Sequence, residues 1–413
     1  MDRMHRIFLN ILRCSLEGTP VTEPLDLTPE EWDALFRLAQ AHHVLPMIFE
    51  AVRTQPRLLD TGLLAALKRQ VIHQVMIQTR KTADFLALME KFHAAGIRPL
   101  VVKGIICRSL YPLPDHRSSS DEDVLILPSQ SALCHEVLTG FGLETALQGE
   151  RLETDYEIPY RQANGPLYIE LHRHLFPPES ESYGDLNRFF RNARERYVTE
   201  TISGVPVDTL EYTDHLFYLI CHAFKHFLHS GFGIRQVCDI VMYANHYGGR
   251  IHWTNLLASC REIRADRFAA AIFRIGENWL VFDPAKACYP EQWQAISVDE
   301  TAMLEDLLLS GVYGGATMSR LHSSSITLDA VASQKQGKKK GNSLMLSLFP
   351  PAKKLEAGYP YLKDRPYLLP AAWVSRAVKY AAESRRDPGS SAAESLKIGN
   401  RRLELLRQYG IIE

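Results

Sequence analysis

The chain has 413 residues, of which 46% are hydrophobic and 23% charged, with a net charge of −1; this is the makeup of an ordinary globular protein that buries its core in about two or three units. Near-neutral charge demands neither a nucleic acid nor a membrane as partner, and no stretch approaches the roughly 18 unbroken apolar residues of a membrane span. The seven cysteines are scattered, odd in number and without a C-x-x-C pair; together with an N-terminus interrupted by Asp2, Arg3, Arg6 and Arg13 they predict reduced thiols, no signal peptide and a cytoplasmic protein with access to nucleoside triphosphates.

The first elements in the chain are helical. Thr28-Pro29-Glu30-Glu31 combines a capping threonine, a proline at the first helical position and a reciprocal acid, and Trp32, Leu35, Phe36 and Ala39 supply the buried stripe. A longer helix is predicted from about Leu63 to Ala95, with Leu64, Leu67, Val71, Val75 and Leu86 at helical spacing and Gly96 ending it. The period then changes. Pro99 to Val102 is a short apolar run ending at Lys103-Gly104, as a buried strand running into a loop would, and a second strand fits Asp121 to Leu127. Pro128 stops it, and Ser129 to Thr139 reads as a helix closed by Gly140. Tyr156 to Gln162 and Leu167 to His174 flank Asn164-Gly165, the pair suited to the positive φ angles of a tight hairpin.

Helix signals return at the capping pair Thr213-Asp214 and continue to roughly Leu309, with breaks at Ser230-Gly231 and Gly248-Gly249. Gln334 to Asn342, with Lys335, Lys338, Lys339 and Lys340, reads as a basic solvated loop. The tail contains Phe349-Pro350-Pro351, Pro360, Pro366 and Pro370, then a helical pattern around Trp373 to Tyr380, and is expected to wrap back onto the body. The expected organisation is a helical region over 1–95, an α/β (α+β) core with a mixed sheet over 96–200, a helical domain over 201–330, and a basic loop and packing tail over 331–413.

The chemistry concentrates in the core. Strand alternation puts Asp121, Asp123, Leu125 and Leu127 on one face, so the two aspartates point the same way. Side by side they repel, and one would hold a proton unless a cation lay between them. Mg²⁺ suits this arrangement because it takes carboxylate oxygens together with substrate phosphates. An isolated D-x-D is weak, since strand ends are full of acids. Lys103-Gly104 offers a backbone that can approach a phosphate and a charge beside it, though a strand-terminal K-G is more often a plain turn. Arg117 either reaches triphosphate oxygens as a fork donor or pairs with Asp115 or Asp121. Glu170 sits in a strand whose other face, Ile169 and Leu171, is apolar; buried, it would need a partner or a metal. His222 and His226, one helical turn apart, fit helix packing better than a metal pair because no H-E-x-x-H acid accompanies them, and Arg235 and Asp239 read as a helix-surface ion pair.

Lys103-Gly104, Tyr111-Pro112, Arg117-x-x-x-Asp121-x-Asp123 and Glu170-Leu171-His172, taken together, resemble the pattern of a little-characterised bacterial nucleotidyltransferase family within the DNA polymerase β-like superfamily. His222, His226, the Arg235 to Asp239 segment, Ile251-His252-Trp253 and Phe349-Pro350-Pro351 are similar to its downstream features, so the resemblance covers most of the chain. It implies a strand–loop–helix–strand core in which Asp121, Asp123 and a third acid, Glu170, bind two Mg²⁺ ions, and transfer of a nucleoside monophosphate from a nucleoside triphosphate such as ATP. It also implies a nucleotide-facing place for His222 or His226. The wider superfamily usually has Gly-Ser where this chain has Lys103-Gly104, and an apolar residue where it has Glu122, an acid off the metal face that a rim position could tolerate.

In this reading Asp121 and Asp123 hold the metals, Glu170 completes the second site or acts as base, and Lys103, Gly104 and Arg117 bind the phosphates and the leaving pyrophosphate. The alternatives are a nucleotide-binding or regulatory module that keeps the fold without turnover, and a kinase-like transfer of the γ-phosphate. The acceptor is open among a small molecule, a protein hydroxyl and an RNA end.

Overall fold

The computed structural model describes residues 1–59, 62–229, 231–310, 318–336, 352–355, 359–375 and 392–413. The N-terminal region forms the helices Arg3–Glu17 (α1), Pro29–Ala41 (α2), Leu45–Val52 (α3), Pro56–Leu59 (α4) and Leu64–Ala94 (α5). At the start of α2 the expected reciprocal cap is present: the Thr28 hydroxyl accepts from the Glu31 amide at 3.3 Å and the Glu31 carboxylate accepts from the Thr28 amide at 2.9 Å. Trp32, Leu35, Phe36 and Ala39 are all buried beneath it. Gly96, with φ +73°, turns the chain out of α5 and into the sheet.

Seven strands follow: Leu100–Val102 (β1), Glu122–Leu125 (β2), Leu143–Glu144 (β3), Glu157–Gln162 (β4), Tyr168–His172 (β5), Val198–Ile202 (β6) and Val205–Thr209 (β7). They form one mixed sheet in the order β3-β4-β5-β2-β1-β7-β6. The central strand β1 is antiparallel to β2 and parallel to β7, while β2 runs parallel to β5. All three residues of β1 are buried, as an apolar run covered on both faces must be. The helices Gly104–Arg108 (α6), Ser131–Gly140 (α7) and Glu150–Thr154 (α8) connect the strands.

Several local expectations are corrected. Gly140 is the last residue of α7, and Gly142, at φ +90°, takes the left-handed position instead. The β4–β5 hairpin forms, but without positive φ at Asn164 or Gly165; the Gln162 side chain closes it by accepting from the Leu167 amide at 3.3 Å. A second hairpin, β6–β7, turns on Ser203 at φ +50° and Gly204 at φ +84°, and carries the sheet to Thr209, so the expected boundary at 200 falls inside β6.

The helices Tyr212–His229 (α9) and Ile234–Tyr247 (α10) come next. Glu211 caps α9, accepting from the amides of Thr213 at 2.9 Å and Asp214 at 3.3 Å, so the expected capping pair lies inside the helix and is itself capped. Of the expected break, Ser230 lies outside the described residues and Gly231 has φ +106°. Gly248 and Gly249 open a single 3-10 turn, and the helices Trp253–Glu262, Asp266–Trp279, Thr301–Ser310 and Met318–Lys335 complete this region. Gln334 and Lys335 belong to the last of these helices, with Lys335 Nζ 2.5 Å from Asp185, while Lys338, Lys339, Lys340 and Phe349-Pro350-Pro351 lie outside the described residues. The same holds for the expected helix beyond residue 375.

One apolar cluster runs from Phe8 in α1 through the sheet to Ile412, and a separate small one gathers Leu355, Leu362 and Ala372. The C-terminal helix Ala392–Gln408 packs along Met318–Lys335, and its Arg402 donates to the carbonyls of Phe227 and His229 at the end of α9. All seven cysteines are free thiols, and no helix among the described residues is long and apolar enough to cross a membrane.

Candidate active site

The site begins where β1 ends. Lys103 has φ +46° and Gly104 φ +34°, a left-handed pair that carries the chain abruptly from strand into α6. A Cβ on Gly104 would lie 2.1 Å from Glu122 Oε2, so a side chain there is excluded by contact as well as by φ. The strained Lys103 backbone is held by a buried chain of polar groups: its amide donates to His215 Nε2 at 3.0 Å, His215 Nδ1 lies 3.0 Å from the Thr209 hydroxyl, and that hydroxyl donates to the Val101 carbonyl at 2.6 Å. Burial pushes His215 down to about 3, so the imidazole is neutral, accepting at Nε2 and donating from Nδ1.

Glu122 is fully buried, which corrects the expectation of a rim position. It accepts from the Ile105 amide at 2.8 Å and the Ser119 hydroxyl at 3.1 Å, and pairs with the equally buried Arg108 at 2.9 Å. It therefore ties α6 to β2 on the side of the sheet away from the aspartates. Above it, the loop before Asp121 is pinned from α5: Gln78 accepts from the Ser119 amide at 2.8 Å, and Lys81 Nζ donates to the Ser119 carbonyl at 3.1 Å. Burial pulls the Lys81 ammonium down to about 8.

On the other face, parallel register sets Asp123 level with Glu170 and Leu125 level with His172, so Asp123, Glu170 and His172 project together. His172 Nε2 is 2.9 Å from Asp123 Oδ1 and 3.7 Å from Glu170 Oε2. Asp121 immediately precedes β2 and is joined to the group through Lys103, whose Nζ lies 3.6 Å from Asp121 Oδ2 and 2.9 Å from Asp123 Oδ2. The cation that two adjacent aspartates require is thus supplied by the protein itself. Burial opposes the Lys103 charge, but Asp121 and Asp123 outweigh it and hold the ammonium's pKa well above its ordinary value. Asp121 is held low: burial works against its charge, and Lys103, the Ser120 hydroxyl, Lys81 and Arg235 together more than compensate. Glu170 is shifted upward, by burial first and then by the two aspartates. Burial likewise disfavours a charged His172, yet its bonds to Asp123 and Glu170 lift it to about 9.

Asp123, Glu170 and His172 each offer a ligand atom within 4.8 Å of the others. Hard carboxylate oxygens at adjacent strand ends, with Asp121 beside them and part-exposed, fit a divalent cation that also takes substrate oxygens.

These groups floor a cleft of about 520 Å³ whose far wall is built by α9 and the start of α10. His222 and His226 face into it, which replaces the packing role expected of them; their Nε2 atoms are 3.3 Å apart, and His222 Nε2 is 3.2 Å from Lys103 Nζ. Arg117 borders the cleft, but its fork is committed to neither a phosphate position nor Asp115 or Asp121. It grips Asp239 with Nε at 3.0 Å and Nη2 at 2.5 Å, and Tyr111 donates to the same carboxylate at 2.7 Å. The expected Arg235–Asp239 surface pair is therefore absent, and Arg235 donates to the Ser118 carbonyl instead. The residues that sequence reasoning passed over are Lys225, Gln236, Tyr156, Glu157 and His43, all lining the cleft. Only Lys225 carried a signal, falling on the His222 and His226 side of a helix that is otherwise largely apolar.

No curated protein and no solved structure matches the chain. One family model does, over residues 28–280, a span that opens at the cap of α2, takes in the whole sheet and includes every residue of the site described above. Since that match covers more than half of the sequence, the chain belongs to the family described as uncharacterised nucleotidyltransferase.

Proposed function

We propose that the protein transfers a nucleoside monophosphate from a nucleoside triphosphate to an acceptor hydroxyl or phosphate, releasing pyrophosphate, in a Mg²⁺-dependent reaction on the carboxylate face of β2 and β5. The observation that carries this reading is the gathering of Asp123, Glu170 and His172 within 4.8 Å of one another at the floor of a cleft, with Asp121 joined to Asp123 through Lys103. Bound there, Mg²⁺ would neutralise triphosphate charge and lower the pKa of the acceptor hydroxyl. Asp121 and Asp123 offer the metal-binding oxygens. Glu170, whose affinity for a proton is raised, is placed to complete the metal site or to take the acceptor's proton. Lys103 reaches the same point on a long stem and neutralises phosphate oxygens, while Gly104 keeps the backbone beside them free of a side chain. Arg117 acts indirectly, fixing the loop that delivers Asp121 by anchoring it to Asp239.

Glu122, the acid that departs from the superfamily's apolar residue, is occupied with Arg108 on the opposite face and leaves the carboxylate face intact, which supports the enzyme reading over a module without turnover. The cytoplasm, with its triphosphate pool, is the proposed compartment. The test is incubation with each α-phosphate-labelled nucleotide, Mg²⁺ and a cell extract. Label should pass to an acceptor with pyrophosphate as co-product, and should stop passing in an Asp121→Asn, Asp123→Asn double variant. Undiminished labelling in that variant, or nucleoside diphosphate as co-product, overturns the proposal.

A further inference from the structure

The floor of the cleft gathers acids and its far wall gathers bases. On the floor, Lys103 sits among Asp121, Asp123 and Glu170. Across from it, α9 contributes Lys225 and the first turn of α10 contributes Arg235. Lys225 has no hydrogen-bond or ion-pair partner among the described residues. Arg235 donates to one backbone carbonyl, that of Ser118, and has no carboxylate partner among the described residues, because Asp239 one helical turn away is taken by Arg117 and Tyr111.

Two largely buried cations without counter-ions destabilise a fold unless something else repays their desolvation. Burial shifts both downward, and nearby cations add to it, Lys103 in the case of Lys225 and Arg117 in the case of Arg235. Nearby acids offset this only in part, Glu157, Asp123 and Glu170 for Lys225 and Asp239 and Asp121 for Arg235. An anion in the cleft would supply the missing counter-charge to both. Its other requirements are set by the floor: the same molecule must tolerate, or bring a metal to, the acids at Asp121 and Glu170. A chain of phosphates reaching from that floor to the wall satisfies both ends, with the positive end of the α10 dipole adding to the attraction.

We infer that Lys225 and Arg235 form a polyphosphate clamp, holding the outer phosphates of a nucleoside triphosphate and then the departing pyrophosphate against α9 and α10. The ligand class rests on the transferase reading, whereas the clamp is an anion site that can be tested without turnover. It differs from the set Lys103, Gly104 and Arg117 in placing the phosphate tail on the helical wall and in giving Arg117 no contact with it.

The experiment is calorimetric titration of the full chain with inorganic tripolyphosphate, ATP and AMP, each with Mg²⁺ and with EDTA. Tripolyphosphate should bind wild type, and Lys225→Gln and Arg235→Gln should each weaken tripolyphosphate and ATP by about tenfold or more while changing AMP by less than about threefold. Lys225→Arg should restore most of the loss. Thermal melts separate a binding role from a structural one: Lys225→Gln should melt no lower than wild type, since it removes an unpaired buried charge. No tripolyphosphate binding by wild type, unchanged affinity in Lys225→Gln, or a lowered melting temperature with equal losses for AMP overturns the clamp. If tripolyphosphate and ATP bind through Lys225 but no acceptor is ever labelled, the clamp stands and the transferase reading falls.

Discussion

The two faces of β2 put charge to opposite uses. On one, Glu122 and Arg108 are closed off from solvent and paired with each other, Glu122 also accepts from the Ile105 amide and the Ser119 hydroxyl, and the group joins the strand to α6. On the other, Asp121 and Asp123 share the Lys103 ammonium and Glu170 pairs with His172 beside them, two of the three acids remain part-exposed, and the group opens into a cleft. Their buried carboxylates, Glu122 and Asp123, are consecutive in sequence. What distinguishes the faces is access: the structural pair sets one acid against one base out of reach of solvent, whereas the site leaves acids in excess and a path by which a ligand can arrive.

The strongest way to break that comparison is to remove half of the structural pair. Glu122→Ala leaves Arg108 buried and unpaired, and should destabilise the fold by about 3–5 kcal/mol in denaturant titration. Replacing both, as Glu122→Gln with Arg108→Met, should cost clearly less than the sum of the two single changes. Additive losses would mean that the two do not act as a pair.

A smaller effect is expected from the ammonium between the aspartates. Lys103→Met leaves Asp121 and Asp123 without their internal cation, so Mg²⁺ alone should raise the melting temperature of this variant by about 2–4 °C more than it raises that of wild type. The gain should vanish when Asp123→Asn is added. Equal response of wild type and variant would show that Lys103 and a metal do not compete for the position.

The smallest effect concerns Lys81 behind the loop. Its folded pKa, about 8, lies below the ordinary 10.5, so between these values the unfolded chain binds more protons than the folded one and stability rises with pH. Below pH 8 both states are charged and the penalty is constant. The stability difference between wild type and Lys81→Met should therefore move in favour of wild type by about 1–2 kcal/mol from pH 8 to 10.5. A flat difference would place the Lys81 charge in solvent.

Much of this arrangement can be read along the chain where the determining interactions are local. The α2 cap, the length of α5, the strands β1, β2, β4 and β5, and the common direction of Asp121 and Asp123 all follow from spacing and alternation within a few residues. The β6–β7 hairpin was legible in principle, with Ser203-Gly204 between alternating segments, but Pro206, the half-buried Glu200 and the exposed threonines of an edge strand obscure it. The partners of the charged residues were not legible. Arg117 finds Asp239 across the helical wall, and its nearer candidates Asp115 and Asp121 turn to Thr79 and to Ser120 and Lys103. Glu122 was correctly set off the metal face by alternation, but nothing local reveals that α6 covers that side. The charge of Lys225 becomes informative only once the fold shows it facing the cleft without an ion-pair partner among the described residues.

The central claim is that one face of β2 performs metal-dependent nucleotidyl transfer and the other only supports it. Label transfer from an α-phosphate-labelled nucleotide, measured in parallel for wild type, Asp123→Asn and the Glu122→Gln, Arg108→Met double variant, tests this most directly. The account predicts Mg²⁺-dependent transfer by wild type, a loss of about a thousandfold or more in Asp123→Asn, and retention to within about tenfold in whatever fraction of the double variant is folded. Transfer that survives Asp123→Asn, or that disappears from a folded double variant, would contradict it.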